Sequence, residues 1–128
     1  MEFEPKVTAG VLCYNEEKYL KECINSLNGQ TYKNLEIVIS DNNSYDNSKK
    51  ILLKIKKKYP KIKFNFFKKN VGVIKNIQKT IDMSSADYFF IISPGDKIDK
   101  NFVKECMQIH IKKKVSCVMC NTNLVYKE

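Results

Sequence analysis

Residues 7–48 read VTAGVLCYNEEKYLKECINSLNGQTYKNLEIVISDNNSYDNS, and this stretch decides the fold. Val7 to Cys13 is a short apolar run of small and branched residues ending at Tyr14-Asn15-Glu16, the pattern of a buried strand entering a turn that opens a helix. Leu20, Cys23, Ile24 and Leu27 then recur at three and four residues, giving one apolar helical stripe, and Asn28-Gly29 supplies its stop. Leu35 to Ser40 is a second buried-type strand, followed by eight polar or turn-forming residues from Asp41 to Ser48.

The alternation continues outward from that stretch. Ile51, Leu52, Ile55 and Tyr59 mark a helix closed by Pro60, Ile62 to Phe67 a third strand, and Val73 to Met83 another helix. Tyr88 to Ile92 is the fourth and most apolar strand; Phe102, Val103, Cys106 and Ile109 line a helix that leads to a fifth strand near Val115 to Cys120. Strands and helices alternating at this length predict right-handed crossovers and an α/β three-layer sandwich around a mostly parallel, Rossmann-like sheet. With 128 residues, 43% of them hydrophobic and 29% charged, the chain has room for one domain, residues 1–128, and one core.

The totals narrow the setting. No run of about 18 apolar residues occurs, and Met1 to Lys6 has no apolar stretch, so the sequence shows neither a membrane span nor a secretory signal. Five cysteines, an odd number placed partly in apolar runs, read as free thiols in a reducing cytoplasm. Cys117-Val-Met-Cys120 has CxxC spacing, but it lacks a second pair, and His110 is the sole histidine; core filling outweighs a metal or redox role there. The net charge of +9 favours an anionic partner: nucleotide phosphates, nucleic acid or an acidic membrane surface. Much of the excess lies in Lys49 to Lys69, which reads as a solvated lysine face.

Ligands of open parallel sheets bind beyond the carboxyl ends of the strands, where loops and helix N-termini converge. The loops there are the polar ones: Tyr14-Asn15-Glu16, Asp41 to Asp46, Lys68 to Gly72 and Ser93 to Asp96. Asp41 or the amide oxygens of Asn42 and Asn43 can accept hydrogen bonds from a base or ribose, and Tyr14 can lie against a flat ring; equally, Asp41 and Ser44 can cap the next helix. Asp96, in a glycine-containing turn, can reach a divalent cation or can cap the following helix, a role for which Asp99 competes. There is no GxxxxGK[ST], no GxGxxG and no GxSxG, which argues against P-loop, dinucleotide-binding and serine-hydrolase chemistry.

Taken in order, residues 7–48 and the stretch NVGVIKNIQKTIDMSSADYFFIISPGDKID (70–99) resemble the N-terminal half of inverting-type family 2 glycosyltransferases of the GT-A fold. Tyr14, Asn15 and Glu16 match the pair and acid that close the family's first strand, and Gln30, Thr31 and Tyr32 match its glutamine-threonine-tyrosine turn. The two-acid loop after the second strand is represented by Asp41, Asn42, Asn43 and Ser44, with Asn42 in place of the second acid. Asn70, Gly72 and Asn76 resemble the asparagine-glycine-asparagine segment, and Lys75 stands where a basic residue can approach phosphate. Of the acidic metal motif only Asp96 remains a carboxylate, in Ser93-Pro94-Gly95-Asp96.

The resemblance implies a nucleotide-sugar site formed by Leu12, Tyr14, Asn15, Glu16, Asp41, Asn42, Asn43, Asn70, Gly72, Lys75 and Asn76, with Asp96 holding Mg or Mn. It further implies a UDP- or dTDP-sugar donor and a polysaccharide, glycoconjugate or lipid-linked acceptor. A cytoplasmic place at the inner face of the membrane, with the longer protein associating with the membrane surface, is also expected. The family's general base belongs to a second half not represented before Glu128, so the 128 residues are expected to be the N-terminal part of a larger enzyme, inactive alone. Two rivals stand beside this reading: a non-catalytic sugar-nucleotide or protein-binding module, and a nucleic-acid-binding domain, which lacks the interleaved aromatic and basic pattern.

Overall fold

The computed structural model describes residues 4–124. Four strands, β1 (Val7–Cys13), β2 (Leu35–Asp41), β3 (Lys63–Phe66) and β4 (Tyr88–Ile92), alternate with helices α1 (Leu20–Asn28), α2 (Ser48–Lys58), α3 (Val73–Met83) and α4 (Phe102–Lys113). All strand pairs are parallel and the order is β3-β2-β1-β4, so the chain winds outward from β1 in both directions. This is the expected α/β sandwich around a parallel sheet, with β1, α3 and β4 at the expected bounds.

The register sorts the two faces. Val7, Ala9, Val11 and Cys13 lie beside Leu35, Ile37, Ile39 and Asp41. The larger apolar cluster packs this face against Leu20, Cys23, Ile24 and Leu27 of α1 and Leu52 and Ile55 of α2, and Val103 and Met107 of α4 close its lower end around Val7 and Tyr32. The opposite face carries α3 and holds the buried polar residues Thr8, Glu36, Ser40, Asn76 and Thr80 beside the buried Val38. Glu36 is held by Lys63 Nζ at 2.7 Å and Lys6 Nζ at 3.2 Å, by Thr8 Oγ1 at 2.8 Å, and by both the N–H and the hydroxyl of Ser85. Gly10 sits under Phe89, whose Cζ would lie 2.5 Å from a Cβ at that position, so the close approach of β4's ring to β1 requires glycine.

Three expectations are corrected. Residues 115–124 form no strand, because a strand needs a hydrogen-bonded neighbour and this stretch takes none. Lys114 turns the chain in a left-handed conformation (φ 51°), and His110 Nδ1 lies 2.6 Å from Val115 O, which ties the segment back to α4. Cys117 and Cys120 are exposed free thiols rather than core filler. On α4 the buried residues are Val103 and Met107, one turn apart, while Ile109 faces solvent.

Candidate functional site

Each parallel strand ends on the same rim, and the loops that follow are stitched together. Five hydrogen bonds join loop one (residues 14–19) to loop two (42–47) and to Ser48, the first residue of α2. Asn15 N–H donates to Ser44 Oγ (2.9 Å), Glu16 N–H to Ser48 Oγ (2.8 Å) and Glu17 N–H to Asp46 Oδ2 (3.1 Å). In return Tyr45 N–H donates to Asn15 Oδ1 (3.0 Å) and Asn47 N–H to Glu17 Oε2 (2.9 Å). Asn15 and Asn43 both adopt positive φ, 56° and 61°, which asparagine tolerates better than most residues.

Asp41 is fully buried at the end of β2 and accepts the Ser44 hydroxyl at 2.5 Å and the Ser44 N–H at 3.2 Å, closing an Asx turn. It does not cap α2. That task falls to Asp46, whose Oδ1 accepts Ser48 N–H at 2.8 Å; the backbone N–H groups and the Ser48 hydroxyl that it binds outweigh burial and hold its carboxyl below the usual range. Through Ser44, Asp41 fixes Asn15, so one buried carboxylate shapes two loops. Burial first, then the Asp41 charge, pushes the Cys13 thiol up to about 12.

Loop three joins through asparagines. Asn42, buried, donates from Nδ2 to Asn70 Oδ1 (3.1 Å) and accepts Val71 N–H (2.8 Å), and Asn70 Oδ1 also accepts Gly72 N–H (2.9 Å). One lone pair therefore remains on the Asn42 oxygen. Gly72, at φ 84°, turns the chain into α3 with open space where a Cβ would be. Lys75 projects into solvent on the first turn of α3, and Lys68 and Lys69 are exposed on the same loop. Asn76 lies inside, its Nδ2 donating to Ser40 O at 3.3 Å and its buried Oδ1 without a partner.

Loop four closes the other side. The Cys23 thiol reaches Ser93 O at 3.8 Å, and the Asp96 N–H turns back to Ser93 O at 2.9 Å. Asp99 takes the capping role, accepting Asn101 N–H at 2.9 Å, and leaves the exposed Asp96 carboxylate with no hydrogen bond or ion pair among the described residues. Burial, then Asp46, then Asp96 raise the Glu16 carboxyl, which places these three acids within electrostatic reach of one another.

The rim thus brings together Tyr14, Asn15, Glu16, Asp41, Asn42, Asn43, Asn70, Gly72 and Asp96, with Lys75 at its basic side; Leu12 lies half-buried in β1 beneath it. An acidic bank on loops one, two and four faces lysines on loop three and α3. Sequence reading missed Tyr45, which is 84% exposed and meets the 43% exposed Tyr14 edge-to-face at 6.1 Å. Its signal was an aromatic residue in a loop otherwise made of Asp, Asn and Ser. No three His, Cys, Asp or Glu side chains among the described residues form a metal-holding group. Asp96 offers a free carboxylate in an acidic neighbourhood, able to supply one ligand to a divalent cation. A cavity of about 340 Å³ lies away from the rim, between β4, α4 and residues 116–118.

The family model for glycosyl transferase family 2 matches residues 8–128. An uncharacterized glycosyltransferase of Haemophilus influenzae is 32% identical over 105 residues, 82% of this chain and 32% of that protein. The GalNAc(5)-diNAcBac-PP-undecaprenol beta-1,3-glucosyltransferase of Campylobacter jejuni is 28% identical over 81% of this chain and 34% of its own length. Among solved structures, residues 1–349 of S. aureus TarS in complex with UDP superpose with a TM-score of 0.75 at 25% identity, over 84% of this chain and 32% of that one. The mannosyltransferase PcManGT of Pyrobaculum calidifontis, in complex with GDP-Man and Mn2+, shares the fold at 17% identity, with a TM-score of 0.75 over 84% of this chain and 33% of its own. The chain therefore spans about a third of the length of these relatives. With its wound parallel sheet and laced rim, it belongs to glycosyltransferase family 2 and has the GT-A fold.

Proposed function

We propose that the rim binds a UDP- or dTDP-linked sugar as donor for transfer to a polysaccharide, glycoconjugate or lipid-linked acceptor. The observation that carries this reading is the polarised rim: two adjoining tyrosine rings, a buried carboxylate–serine relay beneath them, lysines on one side and an unpaired aspartate on the other. Tyr14 offers a flat surface to a pyrimidine, and Asn15, Asn43 and the remaining Asn42 lone pair offer groups for its polar edge. Lys75 and the open first turn of α3 attract the diphosphate. When bound, Mg or Mn supplies charge neutralisation to the departing diphosphate, with Asp96 as the protein ligand. The TarS complexes with UDP and UDP-GlcNAc and the Mn2+-bound mannosyltransferase support this choice of ligands.

The chain is, on this reading, the N-terminal donor-binding part of a longer enzyme that works in the cytoplasm at the inner membrane face. The undecaprenol-linked acceptor of the Campylobacter relative supports a membrane-held acceptor. UDP titrated into the isotopically labelled chain with and without Mg2+ tests the donor reading: shifts at Tyr14, Asn43, Asn70 and Lys75 are expected, with a magnesium-dependent increment lost in Asp96→Asn. No shift at any of these residues, with or without the metal, overturns it. The single carboxylate in the acidic turn favours one alternative, a sugar-nucleotide-binding module without transfer activity. Donor hydrolysis assayed on the longer protein separates the two.

A further inference from the structure

The charge of this protein is not spread over its surface. Residues 49–69 carry ten of the 23 lysines and none of the 14 acidic residues, so the remaining 107 residues, with 13 lysines against 14 acids, are almost neutral. The fold gathers that segment on one side: α2 packs its Leu52 and Ile55 inward, and β3 is the edge strand beside it. At 100° per residue, Lys49, Lys50, Lys54, Lys56, Lys57 and Lys58 fan over roughly half the circumference of α2, away from Leu52 and Ile55. All six are exposed, as are Lys61 below them and Lys68 and Lys69 at the rim. Among the described residues only Lys63 of the ten pairs with a carboxylate, and that carboxylate, Glu36, lies under the sheet.

Within the lysine arc Leu53 is exposed at 44%. A lysine-flanked apolar tip suits the boundary between headgroups and acyl chains. The basic residues of the entire chain are lysine, with no arginine to grip phosphate or a base edge in a two-pronged geometry. Point charges on long flexible stems match a diffuse anionic surface rather than a defined nucleic-acid backbone.

We propose that the outer face of α2, continued by Lys61, Lys68 and Lys69, is an electrostatic docking surface for an anionic lipid bilayer. The same face borders the rim, because α2 begins where loop two ends, so docking brings the rim beside the headgroups. This deepens the membrane-surface reading above and is independent of nucleotide binding; each can fail while the other holds.

Sedimentation with vesicles tests it, using the 128-residue chain with its fold checked by circular dichroism. Vesicles of phosphatidylcholine containing 30% phosphatidylglycerol, roughly the anionic load at which polybasic segments bind, should retain the chain at low salt, and pure phosphatidylcholine should not. Retention should fall as salt rises. Lys50→Gln/Lys54→Gln/Lys57→Gln should lower partitioning about tenfold or more, Leu53→Ser by a smaller factor, and the control Lys104→Gln/Lys112→Gln/Lys113→Gln on α4 far less. Equal losses in the two triple variants, indifference to phosphatidylglycerol, or stronger retention on poly(U) than on the anionic vesicles overturns the proposal.

Discussion

Tyr45 is the residue whose position says most about the rim. Its N–H is fixed by Asn15, while its ring meets the Tyr14 ring edge-to-face and is otherwise largely exposed. An aromatic pair of this kind adds about 0.5–1.5 kcal/mol beyond its buried area, and a base laid into the corner can recover a comparable amount. We predict that Tyr45→Ala weakens UDP binding about three- to tenfold, that Tyr45→Phe retains it, and that inorganic diphosphate binds all three forms alike, as calorimetry can show. Cysteines give a second residue-scale prediction. Burial first, then the nearby Asp96 and Glu16 charges, push the Cys23 thiol up to about 12, and Cys13 stands at a similar value. In the native chain at pH 8 a thiol reagent should label Cys117 and Cys120 first, while Cys13 and Cys23 react only on unfolding; mass spectrometry of the labelled peptides checks the order.

At the scale of elements, β1 is held between two different neighbours. Its odd residues meet an apolar layer and its even residues a mixed one, in which Gly10 gives way to Phe89 and Thr80. Gly10→Ala should destabilise the chain by about 1–3 kcal/mol, because the Phe89 ring and the Thr80 side chain must both shift to admit the methyl group, and the denaturation midpoint should fall with an unchanged slope. Helix α3 shows why periodicity misleads about burial. Its apolar residues Val73, Ile74 and Ile81 are exposed, at 61%, 74% and 44%, while Asn76 and Thr80, one turn apart, are the buried pair. Asn76 reaches Ser40 O and Thr80 lies over Gly10, where short side chains suit a helix this close to the sheet.

Across the whole molecule, Glu36 joins parts that are far apart in sequence: Lys6 before β1, Thr8 in β1, Lys63 in β3 and Ser85 before β4. Burial alone would raise its carboxyl, but Lys63, Ser85 and Thr8 together hold it well below the usual carboxylate range. A depressed folded value stabilises the fold above the ordinary carboxylate pKa, near 4.5 for glutamate, and that contribution fades as pH falls through the lower folded value. Stability should therefore decline below about pH 4.5 in the wild type, with a shallower decline in Glu36→Gln. The substitution should cost about 2–3 kcal/mol at pH 7, less than for a fully enclosed pair because the Lys6 and Lys63 side chains are 41% and 42% exposed. Urea titrations of both forms between pH 3 and 7 measure it.

The amino-acid sequence alone determined the alternation of the first four strands with four helices, since apolar spacing and turn residues at Tyr14, Asp41, Gly72 and Gly95 are local signals read within one turn or one strand. It also placed four polar loops at the strand ends, and their family order singled out most residues that the rim brings together. What only the tertiary structure decided depends on neighbours distant in the chain. Asp41 serves Ser44 and not α2 because Asp46 stands nearer that helix, and Asp99 frees Asp96 in the same manner. Residues 115–120 have a strand's composition but no strand's partner, and Glu36 is a buried charge only because Lys6, Lys63 and Ser85 converge on it. Hydrogen-bond partners and counter-charges are chosen by proximity in space, which no local pattern of residues specifies.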